Sequence, residues 1–133
     1  MRRFQEKPIV LLNAVVATGW SNAIYIGDWR HKVITVSGGV GTVKFATSDG
    51  ASVGSELAPT FSSAAAYDNL WDYDRAKNKN SGSTITSDDG EAISGTVERY
   101  ALEDDGSRWF ALQLSAYTSG AFYAHLQLSN DNE

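Results

Sequence analysis

Residues 108–128 read R-W-F-A-L-Q-L-S-A-Y-T-S-G-A-F-Y-A-H-L-Q-L. Phe110, Leu112, Leu114 and Ala116 recur at every second position, with Gln113 and Ser115 between them. Phe122, Ala124, Leu126 and Leu128 repeat the pattern against Tyr123, His125 and Gln127. A period of two marks strands, because successive side chains point to opposite faces of a sheet. Thr118-Ser119-Gly120 separates the two runs and reads as a turn, so the stretch predicts a hairpin with one apolar face. Each large side chain buried on that face stabilises the fold by roughly 1.5–3 kcal/mol.

The rest of the chain repeats this grammar. No segment sustains a 3.6-residue apolar period, and short alternating runs are separated by Gly, Asn, Asp and Ser. Val10, Leu12, Ala14 and Val16 alternate along a first strand, and a short strand follows over residues 23–26. His31–Ser37 and Thr42–Thr47 read as a second hairpin around Gly38-Gly39-Val40-Gly41. Phe61–Ala66 reads as a turn or very short helix, and Tyr67–Tyr73 as a strand with inward aromatics. Ser83–Thr86 and Thr96–Leu102 complete the set. About eight antiparallel strands with two-sided patterning predict a single all-β domain, a jelly-roll-like β-sandwich. It is expected to span residues 9–129, between an N-terminal arm (1–8) and a polar tail (130–133).

A chain of 133 residues suits one domain with a core large enough to need no staple. The absence of cysteine excludes disulfides, cysteine–zinc sites and thiol nucleophiles. Sixteen acids against eleven bases give a net charge of −5, a poor basis for gripping phosphate backbones. The densest basic stretch, Arg75–Lys79, follows Asp72 and Asp74 and reads as a solvated loop. Neither a secretion signal nor a membrane span is legible. No nucleic-acid or membrane partner is therefore expected.

Chemistry has little material. His31 and His125 are far apart in sequence, and a metal or acid–base site would need them together with a carboxylate. The acidic groups Asp72/Asp74, Asp88/Asp89 and Glu103/Asp104/Asp105 sit in turn-like sequence, where solvent screens them. Asp88-Asp89-Gly90-Glu91 lacks the spacing of an EF-hand loop. Asp28-Trp29-Arg30-His31 gathers four reactive types, but strand neighbours point to opposite faces, so they do not converge on one ligand. No catalytic, metal or cofactor residue is expected, and the protein reads as a non-enzyme. Four Trp, six Tyr and five Phe are the surplus. Outward rings serve contact with proteins or sugars.

The order of segments resembles small β-sandwich proteins of tailed-phage structural gene clusters. It is carried by Leu11–Gly19, Arg30-His31, Gly41-Thr42-Val43-Lys44-Phe45, Trp71-Asp72-Tyr73, Arg108-Trp109 and Tyr117-Thr118-Ser119-Gly120, over about residues 9–129. The resemblance implies a virion structural component, foremost a capsid decoration (cement) protein on the major capsid protein shell, as a dimer or trimer. The alternatives are a carbohydrate-binding module or phage surface lectin, and a tail or head-fibre protein. Arg2, Arg3, Phe4, Trp20, Tyr25, Trp29, Arg30, Trp109 and Tyr123 are the expected interface residues.

Overall fold

The computed structural model describes residues 8–50, 57, 59–61, 71–85, 90–104 and 106–130. Among these lie ten strands and no helix: β1 (Ile9–Val15), β2 (Gly19–Trp20), β3 (Ile24–Tyr25), β4 (His31–Ser48), β5 (Trp71–Tyr73), β6 (Ala76–Asn78), β7 (Thr84–Ile85), β8 (Glu91–Ser94), β9 (Glu98–Leu102) and β10 (Trp109–Ser129). Every pairing is antiparallel. The expected all-β class is present, with ten strands where about eight were read.

Neither expected hairpin turn reverses the chain. β4 runs for 18 residues and β10 for 21, and they pair from His31↔Ser129 to Ser48↔Trp109. The four strands read from the sequence are halves of two long ones. A Gly/Ser segment looks the same in sequence whether it turns back or bends and continues; only the partner differs. Here the two segments are each other's partners, Gly39 opposite Gly120 and Val40 opposite Ser119. Register slips three times around them, so six steps of β4 from Ser37 to Val43 face nine of β10 from Leu114 to Tyr123. Extra residues on one strand bend both. Glycine is needed for the close approach: a Cβ on Gly39 would run into the Phe122 ring, and one on Gly41 into the Ala116 carbonyl oxygen.

The bend doubles the sheet over. Tyr100 on β9 lies opposite Ile34, and Phe45 is eleven positions further along the same β4. A straight strand would put Ile34 and Phe45 about 36 Å apart. Yet the Phe45 and Tyr100 ring centroids are 5.1 Å apart. The first layer runs β1-β10-β4-β9-β6-β7, and in the second β2 and β3 line β10 while β5 and β8 line β4. Between the layers lies one core containing Ile34, Val36, Val43, Phe45, Phe110, Leu112, Phe122 and Leu126. Inward positions on β4 are even-numbered before the bend and odd-numbered after it, a residue's slip absorbed at the corner.

Three smaller readings are corrected. Leu11 and Leu12 are both buried in β1 while Val10 and Val16 are exposed. The register breaks between Val10 and Leu12 and between Leu12 and Val15, where Ala14 adopts φ 55°, so simple alternation fails. Ala116 is exposed because it sits in the corner rather than on the core face. Trp71 and Tyr73 lie opposite Ser48 and Ala46, which alternate with inward Phe45 and Thr47, so these aromatics line the outer side of the second layer. Residues 62–70, and with them most of the expected 61–66 and 67–73 elements, lie outside the described residues, as do 1–7 and 131–133.

Candidate functional site

The aromatic residues expected at an interface are only partly brought together. Trp20 lies against Phe61, Trp71 and Tyr73, with centroids 5.8, 5.1 and 6.5 Å away. Tyr73 donates its hydroxyl to Gln113 Oε1 at 2.8 Å, and the Lys44 ammonium stands 4.8 Å above its ring. Trp20 thus packs the outer side of the second layer, where Ala46 and Ala111 are fully buried. The buried Trp71 Nε1 has no acceptor. Tyr25 and Trp109 form a cross-strand pair, edge to face at 5.4 Å, with Tyr25 41% exposed. Rings set edge to face offer no flat platform for stacking a sugar.

Trp29 was expected outward and instead packs against the core. Its amide donates to the Ile26 carbonyl at 3.1 Å, so it sits in a turn before β4 and strand alternation does not govern it. Arg30 is exposed. The side chain of Asn130 accepts from the Arg30 amide and donates to the Asp28 carbonyl, both at 2.8 Å. The D-W-R-H stretch is therefore stapled to the end of β10 and gathers no ligand site. Tyr123, exposed on the first layer, shares a shallow hollow of ≈ 240 Å³ with Val10, Leu12, Asn13, Ala124 and His125. His31 pairs with Ser129 and His125 with Thr35 across the sheet. No cluster of three His, Cys, Asp or Glu residues occurs among the described residues. Arg2, Arg3 and Phe4 lie outside them.

Sequence reasoning missed a basic row. Arg75–Lys79 is no solvated loop: β6 runs through it, placing Ala76 and Asn78 inward and Arg75, Lys77 and Lys79 outward, all exposed. Asp74 does not offset them. It is buried, accepting from Thr47 Oγ1 at 2.9 Å and from the Arg75 amide at 2.7 Å. Exposed Arg99 lies alongside, since the Lys79 amide donates to its carbonyl. Arg75 and Lys77 border a groove of ≈ 190 Å³ where Glu103 is the one acidic residue among the described lining. The signal was present as cations at every second position.

No family model matches the chain, and no curated protein matches its sequence. The crystal structure of the SPBc2 prophage-derived protein YomS has the same fold. The TM-score is 0.70 over 98% of this chain and 96% of that one, at 11% identity.

Proposed function

We propose that this chain is a non-enzymatic structural protein of a tailed-phage virion, and specifically a decoration protein that binds the major capsid protein on the shell surface. The observation that carries this reading is the end-to-end likeness to a prophage-derived protein, over 98% of this chain and 96% of that one. The surface supports it. The outer side of the first layer carries an exposed basic row and the Tyr123–Val10 hollow, both open to a partner. A decoration protein acts by contacts repeated over a symmetric lattice, so individually weak contacts hold through avidity. Self-association as a dimer or trimer would multiply them. Residues 1–8, before an edge strand, would add a tether to a neighbouring sheet.

The carbohydrate-binding alternative rested on outward tryptophans, and Trp20 and Trp29 are spent on packing. The test is cryo-electron microscopy of the assembled virion, with co-sedimentation of purified protein on shells lacking it. Density of this sandwich on the shell, and saturable binding there, are expected. Density confined to the tail would transfer the protein to the tail-associated class. Absence from the particle would overturn the reading.

A further inference from the structure

The outer side of the first layer is sorted by charge. Arg75, Lys77 and Lys79 stand exposed on one side of β6. Backbone hydrogen bonds carry the β6–β9 ladder one residue past each end of β6. The Glu103 amide donates to the Arg75 carbonyl at 3.1 Å, and the Lys79 amide to the Arg99 carbonyl at 2.8 Å. The three cations are therefore fixed to paired backbone, about 6.6 Å apart along the strand. Arg99 is exposed beside them on β9. No ion pair joins any of the four to another of the described residues. The floor between them is low, since Lys77 lies opposite Thr84 and Ala101, and Arg99 opposite Thr35. Long cationic side chains thus rise around small ones, and the groove of ≈ 190 Å³ lies among them. On a chain of net charge −5, the outward paired positions of this face hold no acid, out to His125 on β10 and Val10 on β1.

Cations held at a fixed spacing are complementary to an anionic chain of the same repeat. We propose that this face is the docking surface for an extended acidic segment of the shell protein, with carboxylates at every second residue. The inference deepens the decoration reading, from which it takes only the source of the segment. In an extended chain alternate side chains point the same way about every 6.6 Å, the repeat of Arg75, Lys77 and Lys79. Carboxylates on that repeat meet all three cations, and the guanidinium groups of Arg75 and Arg99 can take them bidentately. β6 is paired on both sides, to β9 and to β7, so the segment lies across the face and is held by side chains. Exposed ion pairs are individually weak, which suits a contact repeated over a lattice. A long polyanion such as nucleic acid fits less well. It reaches past the patch into the field of a net-negative chain, whereas a short segment meets the patch alone.

The test uses the full chain and a labelled synthetic peptide of alternating Glu and Thr, read by fluorescence anisotropy at low salt. Saturable binding that weakens steeply as salt rises is expected. Lys77→Gln should weaken it by about threefold or more, whereas Lys44→Gln, which removes the same charge from the second layer, should leave it within about twofold. Lys77→Glu combined with Lys79→Glu should weaken it by about tenfold or more. The same peptide should displace the protein from shells in co-sedimentation. No saturable binding, or equal loss in the Lys77 and Lys44 variants, overturns the proposal. So does equal affinity for a peptide of the same composition with its glutamates contiguous, because the spacing is then irrelevant. Tighter binding of a DNA oligonucleotide at the same salt transfers the face to nucleic acid, and self-association abolished by the charge reversal transfers it to a second copy. Either result overturns the proposal. Shell binding that persists while the peptide neither binds nor competes removes this inference and leaves the decoration reading standing. Absence of shell binding removes that reading, and with it the shell as the source, even where the peptide binds.

Discussion

Lys32 occupies an inward position on β4 in line with Ile34 and Val36, and its ammonium reaches Asp104 at 2.9 Å. Its side chain is 2% exposed whereas that of Asp104 is 53% exposed, so a charge in the core is held by a carboxylate on the rim. The Trp29 carbonyl accepts a second hydrogen bond from it at 3.2 Å. This one side chain therefore joins the end of the core, the turn before β4 and the segment after β9. The asymmetry of burial makes the two partners unequal.

Asp104→Asn should cost about 1–3 kcal/mol, because it leaves a buried ammonium with weaker compensation. Lys32→Met should cost less, since it removes the charge that needs a partner and keeps an apolar stem of similar length. Urea unfolding of both variants checks the order.

The corner makes a second prediction. Gly39→Ala forces a methyl into the Phe122 ring and should destabilise by about 1–3 kcal/mol through overpacking. Gly19 has open space around it but a positive φ of 159° that side-chain-bearing residues rarely adopt, so Gly19→Ala should cost about 1 kcal/mol through backbone strain alone, with no overpacking. Denaturation midpoints of the two variants, measured together, separate steric overpacking at the corner from backbone strain alone.

The apolar alternation of Phe110–Leu114 and Phe122–Leu128 was legible because period two is a local property, and those residues line the core. What was not legible is that Thr118–Gly120 bends where it seemed to turn. A turn is distinguished from a bend by its partner strand, and pairing Gly120 with Gly39 spans most of the chain. Trp29 was misplaced for a related reason, since alternation was extended back past the start of β4 into a turn. The basic row of Arg75, Lys77 and Lys79 was visible in spacing. It was discounted because only tertiary structure shows Asp74 turned inward to Thr47. Asn78 Nδ2 donates to both Glu91 Oε2 and Glu98 Oε2 at 3.2 Å, a bridge hidden for the same reason, since the three residues meet only once the strands are paired.

Stability should fall at alkaline pH through Tyr100. Its folded-state pKa is raised, by burial first and then by Glu91 and Glu98. Unfolded tyrosines ionise near pH 10 while Tyr100 in the fold keeps its proton. Above that pH the folded state binds more protons than the unfolded one, so the contribution present below pH 10 is lost as pH rises. Melting temperature between pH 8 and 11.5 should drop more steeply in the parent than in Tyr100→Phe. At pH 7 that variant should stay within about 1 kcal/mol of the parent, because the side chain is neutral in both and the ring keeps its place in the core.

The last prediction concerns which face would dock in the proposed decoration role. Arg75, Lys77, Lys79 and Arg99 point outward from β6 and β9 on a chain of net charge −5, so their field stands out locally. Rim charges act through steering and salt-dependent affinity more than through packing. Lys77→Glu combined with Lys79→Glu should therefore weaken co-sedimentation with shells by about tenfold or more at low salt and flatten its salt dependence. Folding stability should change by less than about 0.5 kcal/mol per site, since both side chains are solvated. Tyr25→Ala combined with Trp109→Ala supplies the opposing measurement. If that pair abolishes binding while the charge reversal leaves it intact, the contact runs through the edge-to-face aromatics of the second layer, and the basic row is not the docking face.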